Sequence, residues 1–266
     1  MSESKQKQSK QQRFLAAHPD CYFCGGIRQA VTVDHVPPRA CFPIGHAPDG
    51  FESPACHECN KGSAKDDLIF GFYSMLLDFD ESPTKRQEND ARLKQLKEGI
   101  FNNYPDALPN QATAAPVYRV GSIYTPSPVA IEMDTSVAFK EASRTIGQKL
   151  THALYMRETG KILTNGHRFL SGCYQPQRDG TESLTSFFNS LLPTEVVGLR
   201  PNIKTYGDRF KYLFGFKEEE DFFMFSAQFG QGIIVWGIIC GPNTATPTVD
   251  PLYSAPWRSG AFGEAN

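Results

Sequence analysis

Four cysteines stand as two pairs of identical spacing, Cys21-Tyr22-Phe23-Cys24 and Cys56-His57-Glu58-Cys59. One tight turn across a Cys-x-x-Cys supplies two adjacent sulfurs, and zinc prefers four thiolates in a tetrahedron, so the pairs predict a structural zinc site. Gly25 and Gly26 follow the first pair and permit the left-handed turn of such a knuckle. A closed four-thiolate site leaves no position for water, so catalysis must come from other residues. Between the pairs lies Val33-Asp34-His35-Val36-Pro37-Pro38, and directly after the second comes Asn60-Lys61-Gly62. An imidazole of near-neutral pKa suits proton abstraction. Aspartate and asparagine oxygens suit a hard cation such as magnesium or manganese better than zinc. Arg39 and Lys61 either meet phosphate or are ordinary solvated charges. Cys41, Cys173 and Cys240 have no partner in sequence and read as small buried hydrophobes.

These groups need elements to hold them. Residues 1–13 are Lys/Gln/Ser-rich and read as a disordered basic tail. Residues 14–80 carry the Cys, His and Pro punctuation of a small metal-stapled domain, closed by a helix from Lys65 to Phe79 with Leu68, Phe72, Met75, Leu76 and Phe79 on one face. Residues 81–116 combine a second helix, Pro83 to Phe101, with a Pro/Ala/Asn linker. In residues 117–266, Val117–Tyr124 and Val129–Met133 read as short strands. Thr135 to Thr159 is the clearest helix, striped by Phe139, Ala142, Ile146, Leu150, Ala153 and Leu154 and stopped by Gly160. The alternating run from Arg209 to Lys217, then 221–229 and 232–240 around a Gly-Gln-Gly turn, predicts an antiparallel meander packed on that helix. The fold class is therefore α+β: a small zinc-stapled N-terminal unit followed by a larger helix-plus-antiparallel-sheet domain.

With 266 residues, 40% apolar and 21% charged, the chain can bury a core without disulfides. A net charge of −2 excludes a global basic field of the kind that coats nucleic acid. The polar N-terminus lacks the apolar core of a secretory signal, and the longest apolar run, Gly232 to Cys240, is too short to span a bilayer. A cytoplasmic location with reduced cysteines is expected, and paired cysteines there read as metal ligands.

The order Cys-x-x-Cys, Asp-His-x-x-Pro, Cys-x-x-Cys-Asn, from about Cys21 to Lys65, resembles the zinc-containing branch of the HNH endonucleases. That resemblance implies a ββα-metal fold, a hairpin and a helix around one divalent ion, and hydrolysis of phosphodiester bonds in nucleic acid, DNA above all. It implies His35 as general base and Asp34 as a ligand of a catalytic magnesium or manganese ion, its side chain on the strand face opposite His35. Asn60 matches the last motif position and would be a second ligand. The central position, an Asn in the family, falls on Phe51 by the commonest spacing. With two extra residues it falls on Asp49, which would brace His35. Ala64 stands where some members carry a further histidine, and Asp66 or Asp67 would compensate or are surface charges at a helix start.

Other readings stay open. A zinc knuckle that binds nucleic acid or protein without cutting would use the same cysteines, and a redox Cys-x-x-Cys protein is a more distant alternative. His57 is placed outside the zinc shell, His46 on a loop surface, His152 in a structural position and His167 in a turn. Residues 117–266 carry no motif tied to chemistry, and their rings read as core rather than as a base-stacking platform.

Overall fold

A computed structural model of the chain describes residues 3–78, 83–109, 115–117, 119–120, 123–124, 130–132, 136–175, 183–192, 199, 201–244 and 258–259. The N-terminus forms helix α1 (Glu3–Ala17) where a disordered tail was expected. Strands β1 (Thr32–His35) and β2 (Glu52–Ala55) pair antiparallel, with Asp34 opposite Ser53 and His35 opposite Glu52. Helix α2 (His57–Gly62) follows at once, capped by the Cys56 sulfur, which accepts from the Cys59 N–H. Helix α3 (Ala64–Leu76) continues the chain; of the predicted apolar face Phe72 and Met75 are buried, Leu68 and Leu76 are partly buried, and Phe79 lies outside the described residues. Together β1, β2 and α2 make a small ββα unit.

Helix α4 (Pro83–Asn103) packs on α3. Two short ladders follow, β3 (Ala115–Val117) with β6 (Ala130–Glu132), and β4 (Arg119–Val120) with β5 (Ile123–Tyr124). The segment between the two predicted strands, residues 125–128, lies outside the described residues. Helix α5 (Val137–Thr159) ends where predicted, closed by Gly160 at φ 72°, and starts two residues after the predicted Thr135, with Ser136 capping its first turn by accepting from the Phe139 N–H.

The larger part is one antiparallel sheet. Strand β7 (Arg168–Tyr174) and helix α6 (Leu184–Ser190) precede β8 (Asn202–Tyr206), β9 (Phe210–Lys217), β10 (Phe222–Phe229), β11 (Ile233–Cys240) and β12 (Arg258–Ser259), in the order β12-β7-β11-β10-β9-β8. The meander β9-β10-β11 is the predicted one, and β7 joins its far edge. Side chains alternate along each strand. Ile233, Val235 and Ile239 face α5, while Ile234, Trp236 and Ile238 join Phe187 and Phe188 of α6. Both faces are covered, so β10 and β11 read as near-continuous apolar runs.

The linker expected between the two parts does not isolate them. Phe51, Phe70 and Tyr73 of the N-terminal region lie in the same buried cluster as Phe139, Phe210 and Phe225. Helix α3 packs along α5, and Phe70 meets Phe229 edge-on at 5.3 Å. Among the described residues, no helix is long and apolar enough to cross a membrane.

Candidate metal centre

The first cysteine pair lies in a turn fixed at both ends by the backbone. Cys21 N–H donates to the Arg28 carbonyl, Tyr22 N–H donates to the Pro54 carbonyl of β2, and Gly25 and Gly26 take φ 65° and 80°. A side chain at Gly25 would also strike the Leu163 carbonyl, at 2.6 Å. The second pair sits where β2 runs into α2. All four sulfurs are buried and lie within 4.8 Å of one another. Ligands about 2.3 Å from a zinc ion form a tetrahedron with edges of roughly 3.8 Å, so small adjustments close the shell. The four-cysteine cluster fits structural zinc.

The four sulfurs do not share charge evenly. Cys21 is held at about 5, chiefly because the Cys59 side chain hydrogen-bonds its sulfur, whereas Cys59 is pushed up for the same reason and by burial. Arg28 extends over the cluster, its guanidinium 3.4 Å from the Cys56 sulfur. A cation there offsets the excess negative charge of four thiolates around one zinc ion.

Strand alternation sends Asp34 and His35 to opposite faces of the hairpin, as expected. Asp34 is buried. Tyr22 Oη donates to Asp34 Oδ2 at 2.8 Å, and the Lys149 ammonium from α5 lies 3.0 Å from the same oxygen and 3.3 Å from Oδ1. Lys149 also reaches both Asp67 oxygens at 2.8 and 2.9 Å and the Ser63 hydroxyl at 3.0 Å. Burial works against the charged ammonium, but the two carboxylates prevail and its pKa is raised. Burial lifts Asp67 to about 6 against the pull of Lys149, and Tyr22 is driven far up by burial and by Asp34.

Asn60 comes to the same face as Asp34. Its amide nitrogen donates to the Thr32 hydroxyl and the Val33 carbonyl, at 3.3 Å each, so α2 is fastened across β1. The Asn60 backbone carbonyl accepts from Ser63 Oγ, which links it to the lysine cluster. The pair expected to share a metal is thus engaged otherwise: the Asp34 carboxylate by Lys149 and Tyr22, the Asn60 amide nitrogen by β1. Asp49 is exposed in the β1–β2 connection, and the register sets Glu52, not Asp49, opposite His35 on the same face. Arg39, in a 3-10 turn (Arg39–Cys41), and Lys61, in α2, are both exposed. His57 is exposed and outside the sulfur cluster.

Sequence reasoning passed over Lys149, Tyr22, Ser63, Arg28 and Glu52. One signal was present: Lys149 falls between Ile146 and Ala153 at spacings of three and four, an apolar position of the α5 stripe held by a charge. His167 is no plain turn residue either. Its Nε2 lies 3.0 Å from Asp221, whose other oxygen accepts from Tyr155 at 2.8 Å, a latch between the end of α5 and the sheet.

Comparison with protein-family models, curated proteins and solved structures finds no match to this chain. What stands on the geometry alone is a ββα unit closed by a four-cysteine, zinc-type cluster and joined by α5 to an antiparallel sheet.

Proposed function

We propose that the chain is an HNH-type endonuclease, stapled by zinc, that hydrolyses phosphodiester bonds in nucleic acid, with DNA as the first substrate to try. The observation that carries the reading is the fastening of α2 across the hairpin, Asn60 against Thr32 and Val33, directly beside the Asp34-His35 pair. His35 ends β1 on the partly exposed face, where its imidazole takes the proton from an attacking water. Glu52, its cross-strand partner, would be the carboxylate that orients the ring. Arg39 and Lys61 are exposed cations available to phosphate oxygens.

The donor chemistry fits a hard divalent ion. Asp34, Asp67 and Ser63 present only oxygens, and they already surround a cation, the Lys149 ammonium. Asp34 and Asp67 would hold the metal, and Asn60 would steady the strand rather than ligate. When bound, such an ion stabilises charge on the phosphoryl oxygens and acidifies water.

The test is nicking of supercoiled plasmid by the zinc-loaded full chain with magnesium or manganese. His35→Ala is expected to cut roughly 10²–10⁴-fold more slowly while remaining folded. Equal rates would refute the assignment. A second reading has one observation in its favour, the engagement of the Asp34 carboxylate by Lys149 and Tyr22. On that reading the knuckle binds nucleic acid or protein without cutting, and no metal restores cleavage.

A further inference from the structure

Lys149 comes from the middle of α5, in the sheet-bearing part of the chain, yet its ammonium is enclosed by oxygens of the N-terminal unit. Asp34 lies on β1, Ser63 at the junction of α2 and α3, and Asp67 one turn into α3. Five oxygens stand 2.8–3.3 Å from Nζ. The lysine side chain is wholly buried and that of Asp34 is 6% exposed, while that of Asp67 is 21% exposed and forms the open side. A lysine in an apolar stripe is a costly residue, and removing its partners would leave a buried charge. Its retention there answers to the two carboxylates, which are equally costly without a cation.

We propose that Asp34, Asp67 and Ser63 form a divalent-cation site for which Lys149 is a tethered competitor, so that metal loads only as α5 withdraws the ammonium. The inference deepens the nuclease reading and rests on it for its purpose, since it would make α5 the element that restrains the enzyme until the divalent ion outcompetes Lys149. The physical argument is one of donor type and charge. Two carboxylates and a hydroxyl are what magnesium and manganese select. The ammonium leaves the cage at −1, whereas a divalent ion brings it to zero. Both cannot occupy a space bounded by the same oxygens. Lys149 holds the place because the fold keeps its effective concentration high, and a dissolved ion must reach a concentration that outcompetes it.

The experiment is binding of manganese alone, followed by electron paramagnetic resonance, to the zinc-loaded full chain without nucleic acid. Lys149→Met is expected to bind one manganese ion at least tenfold more tightly than the parent chain, and adding Asp67→Asn should abolish the gain. Equal affinity in parent and Lys149→Met, or no binding by a folded Lys149→Met, overturns the proposal. If that variant does not fold, the parent chain still decides. Lys149 should resist an amine-acylating reagent and become several-fold more reactive at saturating manganese, compared with sodium at equal ionic strength. Unchanged reactivity overturns it. Because neither readout involves cleavage, a Lys149→Met chain that loads manganese but leaves plasmid intact refutes the nuclease reading and spares this one.

Discussion

His152 lies wholly buried between the rings of Phe23 and Phe169, each 5.4 Å away and edge-on. Its Nδ1 stands 3.2 Å from the Tyr22 carbonyl, which can only accept, so that nitrogen carries the proton. Burial pushes the imidazole down to about 4. The sign follows from proton counting. The unfolded chain takes up this proton near pH 6.5 and the folded chain does not until about 4, so the stability present above 6.5 is lost as pH falls through that window. From pH 7 to 5 the imidazole should cost about 2 kcal/mol, and His152→Gln, which keeps a donor but does not titrate, should remove that component. Urea unfolding at the two pH values checks it. Asp67 works in the opposite sense over part of the same range, but it titrates in both chains and cancels in the comparison. Identical pH dependence in the two chains would contradict the buried neutral imidazole. His152 and Lys149, three residues apart on α5, hold the knuckle and the hairpin from one helix face.

Helix α5 is the element on which both parts depend, and its start is a small network. Ser136 Oγ accepts from the Phe139 N–H at 3.1 Å and donates to the Ala107 carbonyl at 3.1 Å, with Tyr73 Oη 3.2 Å away. Ser136→Ala should therefore cost about 1–2 kcal/mol, because it removes both the cap and the hydroxyl that donates to the Ala107 carbonyl, while the Tyr73 phenol keeps its own bond to that carbonyl at 3.0 Å. Equilibrium unfolding in urea measures it, and a change under about 0.3 kcal/mol would show that the cap is idle. The Gly160 end of α5, the apolar face of α3 and the β9–β11 meander were legible because helix stops and periods of 3.6 and 2 are local signals. Four thiols in two equal spacings were legible for the same reason. The partners of Asp34 were not: Lys149 is 115 positions away, and only the packing of α5 on α3 brings it near. The register that puts Glu52 rather than Asp49 opposite His35 depends on a long connection whose length sets no pairing by itself. Residues 1–13 lacked an apolar stripe and read as coil, yet residues 3–13 lie within α1, a helix whose start carries little periodic pattern.

At the scale of the whole molecule, one buried cluster runs from the cysteine knuckle through α3 and α5 to the sheet. Loss of the metal centre should then be felt everywhere. Cys56→Ser removes one thiolate of the four-cysteine cluster, the one that Arg28 faces, while its hydroxyl can still cap α2. It should lower a single melting transition by roughly 10 °C, taking about 3 kcal/mol at 2–4 °C per kcal/mol. A chelator added to the parent chain should move that same transition. Two separate transitions, with the later one unaffected, would mean that the parts unfold independently. The lysine cage has a consequence in time as well. Asp67 precedes Lys149 by 82 positions, and the last cysteine of the knuckle precedes Asp67. At roughly 5–20 residues per second, a ribosome spends about 4–16 s between making the second carboxylate and making the lysine. A nascent chain thus owns all four cysteines of the cluster and a pair of acidic side chains well before their neutralising partner exists, and until it does, those carboxylates must stay in contact with water.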